Sequence, residues 1–182
     1  VSLHFGTHLD APFHAGYSTD LSQIPLERVY GTGVIVNIPK KDWDFITARD
    51  IEKATPKIQP DDIVIIHTGW HKYWSIDEDR YAYRYPGLSL DAVDWLIEKK
   101  IKIVGTDTIS PEHIFRMHDN IMKLRPDIFK EVIDRDVHPL LYAHHSFLKN
   151  NILLLEQVGG QIAEVLSERL NIAVFPLKLQ YG

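Results

Sequence analysis

The chain has 182 residues, no cysteine, ten histidines and a formal net charge of -5 at pH 7. The missing cysteines exclude a disulfide scaffold, a thiolate zinc finger, a cysteine nucleophile and an iron–sulfur cluster, so any metal site must use nitrogen and oxygen ligands. The acidic balance argues against nucleic acid as a partner, and no run of about 18 apolar residues is present to cross a membrane.

In chain order, the alternation from Val1 to Leu9 predicts a strand and Gly33 to Ile38 a second. Thr47 predicts an N-cap for a helix through Lys53, because Asp50 three residues on makes a carboxylate version of the capping box. Asp62 to Thr68 reads as a buried strand ending at Gly69, and the Pro/Tyr stretch Tyr81 to Pro86 as a loop. Ser89 predicts the cap of an amphipathic helix with Leu90, Val93, Leu96 and Ile97 on one face. Ile101 to Thr106 is the next strand, and the charge-rich residues 113–136 read as surface helix plus loop. Pro139 suits the first turn of a helix running to about Lys149, and Asn150-Asn151 turns the chain into a strand from Ile152 to Leu155. Gln161 to Arg169 predicts a helix and Ile172 to Leu179 the last strand.

Strands alternating with helices predict an α/β fold with a largely parallel sheet. No repeat, low-complexity run or linker interrupts it, so residues 1–182 are expected to form one domain. A start at Val1, directly in strand-like alternation, predicts that further residues precede it. No signal-peptide pattern is present, which makes the cytoplasm the default compartment.

The most informative segment runs from His4 to His14. His4, His8, Asp10 and His14 all fall at even positions, so an extended chain would put them on one face. Burying that patch without metal or proton chemistry is costly. A straight strand would hold His4 and Asp10 roughly 20 Å apart, too far to share an ion. A bend is therefore expected at Gly6, fixed by the Thr7 hydroxyl. Pro12 is expected to end strand pairing and send His14 off in another direction.

HFGTHLDAPFH, His4 to His14, resembles the H-x-G-T-H-x-D-x-P-x-H signature of the metal-dependent cyclase/hydrolase family, which includes bacterial kynurenine formamidases, isatin hydrolases and some lactamases. Every fixed position is present, at His4, Gly6, Thr7, His8, Asp10, Pro12 and His14. Tyr142-Ala143-His144-His145 followed by the apolar run to Glu156 is similar to the family's His…Glu pair. Gly105 to Ser110 is similar to its G-x-D-x-x-S strand end, and Pro176 to Leu179 to its last core strand. The chain departs from the family in lacking its N-terminal segment, in stopping just after the last matched strand, and in a longer charged stretch from Glu112 to Asp136.

The resemblance implies a swivelling β/β/α domain. It implies a first metal held by His4, His8 and Asp10, with Asp10 bridging to a second held by His144 and Glu156, and His14 as the catalytic acid/base. His145 rivals His144, though the twelve-residue spacing to Glu156 favours His144. Such donors suit Zn²⁺ or Mn²⁺, one or two ions per chain, over Ca²⁺ or Mg²⁺. The expected reaction is hydrolysis of a small amide or formamide, arylformamidase-like: a water made acidic by the metal attacks the carbonyl while His14 moves the proton. Isatin- or lactam-type ring opening is the close alternative, and a metal- or ligand-binding protein without turnover the alternative of another class. The resemblance also implies a small-molecule substrate and a homo-oligomer, dimer or tetramer.

Other residues carry weaker signals. His67 and His71 flank a strand end and either line the pocket or face solvent. His113 and His118 read as surface residues and His138 as a helix-start residue. Asp107 and Ser110 read as loop-holding or as partners of a ligand histidine. Phe13, Tyr17, Trp70, Tyr73 and Trp74 are candidate walls for an aromatic substrate. No G-x-S-x-G elbow, phosphate-binding loop or complete dinucleotide fingerprint is present.

Overall fold

A computed structural model describes residues 4–114 and 141–180, together with Lys123, Pro126, Asp127, Lys130 and Asp134. Its strands are β1 (His8–Asp10), β2 (Tyr30–Asn37), β3 (Phe45–Ile46), β4 (Ile63–His67), β5 (Gly87–Leu88), β6 (Ile103–Thr106), β7 (Leu153–Glu156) and β8 (Arg169–Ala173). Its helices are α1 (Ala48–Lys53), α2 (Glu78–Tyr83), α3 (Leu90–Glu98) and α4 (Tyr142–Lys149). The main sheet has the order β1-β7-β6-β4-β2-β8, and β3 pairs with β5 apart from it. The four central strands are parallel, while the edge strands β1 and β8 run antiparallel to their neighbours. The expected α/β class with a largely parallel sheet is what is found.

The near-continuous apolar runs of the central strands follow from burial on both faces. Val34, Val36, Val64, Ile66, Val104 and Leu154 pack with α1, α3 and α4 on one side. The residues between them, among them Ile35, Ile63, Ile65 and Ile103, pack on the other side with Leu21, Ile24 and Ile162. β4 and β6 thus end side by side at the carboxyl edge of the sheet, where open α/β sheets place their sites.

Local signals set several boundaries. The Thr47/Asp50 capping box forms as read: Thr47 accepts from the Asp50 N–H and Asp50 accepts from the Thr47 N–H at 2.8 Å. Ser89 occupies the N-cap of α3, but its hydroxyl donates to the Ile46 carbonyl at 3.0 Å and to Asp91 instead of capping the helix.

Four expectations need correction. Among the described residues of the first predicted strand, only His8 and Leu9 are in a strand, which runs on to Asp10, while His4 to Thr7 bend away. Tyr81 to Tyr83 belong to α2 instead of a loop. The predicted helix from Gln161 shrinks to a short 3-10 turn, Ile162–Val165, and Arg169–Ala173 is a strand. Residues 174–179 are not a core strand: Phe175 is 66% and Leu177 77% exposed. The structural reason for the last two is long-range: β8 pairs with the free edge of β2, a partner distant in sequence. The expected surface helix within 113–136, and Pro139, lie almost wholly outside the described residues.

Candidate metal centre

β1 lies antiparallel on β7 with His8 opposite Glu156 and Asp10 opposite Leu154. The two-residue period therefore puts His8, Asp10 and Glu156 on the same face as Leu154, the face covered by α4. His144 sits in the first turn of α4 and is buried. The Asn150-Asn151 turn, with Asn151 at φ 57°, feeds α4 straight back into β7.

His4 reaches the same point through the bend. Gly6 adopts φ 75°, a conformation that favours glycine. Gln157, next after β7, fastens the bend: it accepts from Gly6 N–H at 3.2 Å and from the Thr7 hydroxyl at 2.8 Å, and its amide donates to the His4 carbonyl at 3.3 Å. Thr7 thus acts through a distant carbonyl rather than within its own turn. Pro12–Ala15 form a 3-10 turn, closed by Gly16 at φ 84°, that swings His14 back over the site. Its ring centroid lies 4.5 Å from that of His4 and 5.5 Å from that of His144.

The donor atoms fall into two sets that share Asp10, and a ring nitrogen of His14 also stands within 4.8 Å of donor atoms of Asp10 and His144. In the first, His4 Nδ1 lies 3.0 Å from His8 Nε2 and 3.4 Å from Asp10 Oδ1, and His8 Nε2 lies 3.7 Å from Asp10 Oδ1. In the second, His144 Nε2 lies 3.7 Å from Asp10 Oδ2 and 3.1 Å from Glu156 Oε1. His8 Nε2 and Glu156 Oε2, 3.3 Å apart, link the sets. Ligands about 2.0–2.2 Å from a tetrahedral ion stand about 3.3–3.6 Å apart, the spacing found here. Asp10 Oδ2 and Glu156 Oε1 are buried and lack a hydrogen-bond partner among the described residues. Both belong to the second set, so the donor set fits a divalent ion there as well as at His4, His8 and Asp10.

The imidazoles are turned correctly for this. His8 Nδ1–H donates to the Gly6 carbonyl at 2.8 Å, and His144 Nδ1–H donates to Glu112 Oε1 at 2.6 Å. Each leaves Nε2 facing the carboxylates, as metal-binding histidines require. Burial pulls the pKa of His144 down, but Glu112, Asp10 and Glu156 together hold it well above the ordinary value. His8 is likewise raised, by Glu156, the Gly6 carbonyl and Asp10, against its burial. Burial pushes Asp10 and Glu156 up, yet the surrounding imidazoles leave both below the usual carboxylate range. His14 is lowered, chiefly by burial.

All six residues singled out in the sequence are brought together. His145, the rival of His144, is in neither donor set. Two contributors went unread: Gln157 and Glu112. Glu112 is fully buried and also accepts from the His144 N–H at 2.9 Å and the Ser110 hydroxyl at 2.9 Å. His113, read as a surface residue, is buried too; its Nε2–H donates to the Asp44 carbonyl at 3.2 Å beside the Phe45 ring. His118 and His138 lie outside the described residues. Asp107 holds the loop after β4, accepting from Thr68 and Trp70.

A cleft of about 530 Å³ opens over His4, His8, Asp10 and His14, with Phe13 and Leu177 on its rim. A second hollow of about 330 Å³ borders His4 and is walled by Phe5, Trp74 and Tyr81, the Phe5 and Trp74 rings lying 5.5 Å apart. Phe13 and Trp74 are therefore walls as expected. Trp70 is not: it is buried in a cluster with Tyr81 and Tyr85. Tyr17 packs against the helix-side core.

The Cyclase family matches residues 1–113, which contain the whole His4–His14 segment. Cyclase-like protein 3 of Oryza sativa is 30% identical over 78% of this chain and 55% of its own length. Kynurenine formamidase of Erythrobacter litoralis is 24% identical over 100% of this chain and 69% of its own. Among solved structures, isatin hydrolase A from Labrenzia aggregata superposes with a TM-score of 0.76 at 23% identity, covering 100% of this chain and 70% of its own. The chain thus spans between about half and 70% of the length of these relatives.

Proposed function

The chain belongs to the Cyclase family, and from that premise we propose that it is a metal-dependent hydrolase of a small amide or formamide, arylformamidase-like in its reaction. The observation that carries the reading is the pair of donor sets sharing Asp10, with Asp10 Oδ2 and Glu156 Oε1 buried and unsatisfied. His4, His8 and Asp10 would hold one ion; Asp10, His144 and Glu156 a second. The three imidazoles favour Zn²⁺ or Mn²⁺ over Ca²⁺ and Mg²⁺. Such ions supply Lewis acidity, polarising a carbonyl and making water acidic near neutral pH.

The chain's own groups do the rest. His14 stays outside the hydrogen bonds that orient His8 and His144, and burial keeps it neutral and able to accept a proton. It takes a proton from the attacking water and returns it to the leaving nitrogen. Phe5 and Trp74 flank the hollow beside His4 and would hold a planar ring there. That same wall favours a second reading, opening of a cyclic amide of the isatin or lactam type. A homo-oligomer, which the resemblance implies, and the cytoplasm, the default for a chain without a signal-peptide pattern, complete the proposal.

The test is a panel of N-formylkynurenine, isatin and lactams with protein loaded with Zn²⁺ or Mn²⁺. Turnover of the formamide is expected, and a dominant rate on isatin or a lactam would select the second reading. No hydrolysis of any amide despite tight metal binding would leave a binding protein. His14→Ala should keep its metal content and lose about 10²–10⁴-fold in kcat. Full turnover in that variant would remove His14 from the mechanism.

A further inference from the structure

We propose that His67, His71 and Asp107 form a separate site for a zinc-class divalent ion at the carboxyl ends of β4 and β6. These residues share no member with the centre above. His67 closes β4, Asp107 follows β6 directly, and the two strands are parallel neighbours with Ile66 opposite Thr106. Gly69 turns the chain at φ 82° and brings His71 back over the same strand ends.

The decisive group is His67. It is 6% exposed, and its Nδ1–H donates to the Asn37 side-chain oxygen at 2.9 Å. That bond fixes the tautomer, so Nε2 carries a lone pair. The atom is buried, has no hydrogen-bond partner among the described residues, and lies 4.0 Å from Asp107 Oδ2. A buried acceptor facing a carboxylate is unfavourable unless a cation or a proton stands between them. An oriented histidine backed by an amide oxygen is how proteins present a metal ligand.

Asp107 has room for the ion. Its Oδ1 is filled by the Thr68 N–H at 2.9 Å and the Thr68 hydroxyl at 2.6 Å. Its Oδ2 accepts one short bond, from Trp70 N–H at 2.7 Å; the backbone N–H and Nδ1 of His71 stand back at 3.3 Å each. Those two contacts are longer than ordinary hydrogen bonds, and 3.3 Å between His71 Nδ1 and Oδ2 is a tetrahedral ligand spacing. Two imidazoles and a carboxylate suit Zn²⁺ better than Mg²⁺ or Ca²⁺. His71 also lines a hollow of about 390 Å³.

The rival account is a simple loop clamp, in which His71 only hydrogen-bonds Asp107 and no metal binds. Zinc stoichiometry, read by elemental analysis after equilibrium dialysis, separates the two without any assay of turnover. The Asp10→Asn/His144→Ala variant has lost the first centre, so its zinc count isolates the second. It should still bind one zinc per chain, and adding His67→Gln should abolish that binding. Cobalt substituted into the same variant should show tetrahedral visible absorption that His71→Asn removes. His71→Asn alters a side chain that is 21% exposed and serves if His67→Gln does not fold. A folded Asp10→Asn/His144→Ala protein that binds no zinc would overturn the proposal. So would equal zinc counts with and without His67→Gln. Either result leaves the first centre untouched, because the wild-type count above this site reports on it independently.

Discussion

Glu112 shows how much one carboxylate can decide. It accepts both the backbone N–H and the Nδ1–H of His144, and so sets the ring's tautomer and rotation before any ion arrives. Glu112→Gln keeps the shape, but the new amide can accept only on one side and sets an N–H against one of those donors. The variant should bind the ion at Asp10, His144 and Glu156 about 10–100-fold more weakly, with the ion at His4, His8 and Asp10 little changed. Metal titration with the fold monitored by circular dichroism checks this; equal affinity at both sites would make Glu112 merely structural. Glu112 was hidden in the sequence because it opens a charge-rich stretch, and charge alone reads as surface. Only its place two residues after Ser110, just past a buried strand, hinted otherwise. His4, His8, Asp10 and His14 were legible because their convergence depends on a local bend at Gly6 and a local break at Pro12, both written within the same eleven residues.

Elements divide along the same line between local and distant causes. α1 was readable because its start is set by Thr47 and Asp50, three residues apart, and the box they form is present in full. Thr47→Ala should cost about 0.5–2 kcal/mol by removing the cap, measured by denaturant unfolding. Burial pushes Asp50 up, but Lys40 and the Thr47 N–H and hydroxyl together leave its pKa below the ordinary value of 3.8. The folded carboxyl is therefore the stronger acid. Its stabilisation is full above the unfolded pKa and fades as pH falls through the lower folded value. Asp50→Ala should accordingly be less stable than wild type at pH 6, and the gap should close in acid below that value. A gap unchanged across that range would mean the carboxylate charge plays no part. β8 was not readable from its own residues. It pairs with β2 at Gly33, where a Cβ would stand 2.2 Å from the Ile63 carbonyl oxygen of β4 and 2.6 Å from Ile172 Cδ1 of β8, so glycine lets both strands close on β2. Arg169 then reaches back to buried Asp62 at 2.7 Å. Nothing within residues 161–173 announces either partner.

At the scale of the whole molecule, the donor sets join parts of the chain that the unfolded state keeps apart. In the second set Asp10 and Glu156 are separated by 146 positions (156 − 10), so an unfolded chain offers no comparable site there, whereas His4, His8 and Asp10 of the first set are close in sequence and depend on the fold for their bend. Ions that bind only the folded state stabilise it by mass action, about 2.7 kcal/mol for each site at an ion concentration 100 times its Kd. For a chain of this length that corresponds to a rise in Tm of about 5–10 °C per site. The effect should be concentrated at β1, a three-residue edge strand that few backbone bonds secure on their own. Chelation should lower the Tm and accelerate amide exchange at β1 and at its partner β7 more than in the central strands β4 and β6. Asp10→Asn removes the donor shared by both sets, so its β1 amides should exchange at one rate with and without metal. The Asp10→Asn/His67→Gln variant should have a Tm indifferent to chelator altogether. A metal-dependent Tm that survives in that double variant would mean that the ions stabilise the fold from ligands other than these.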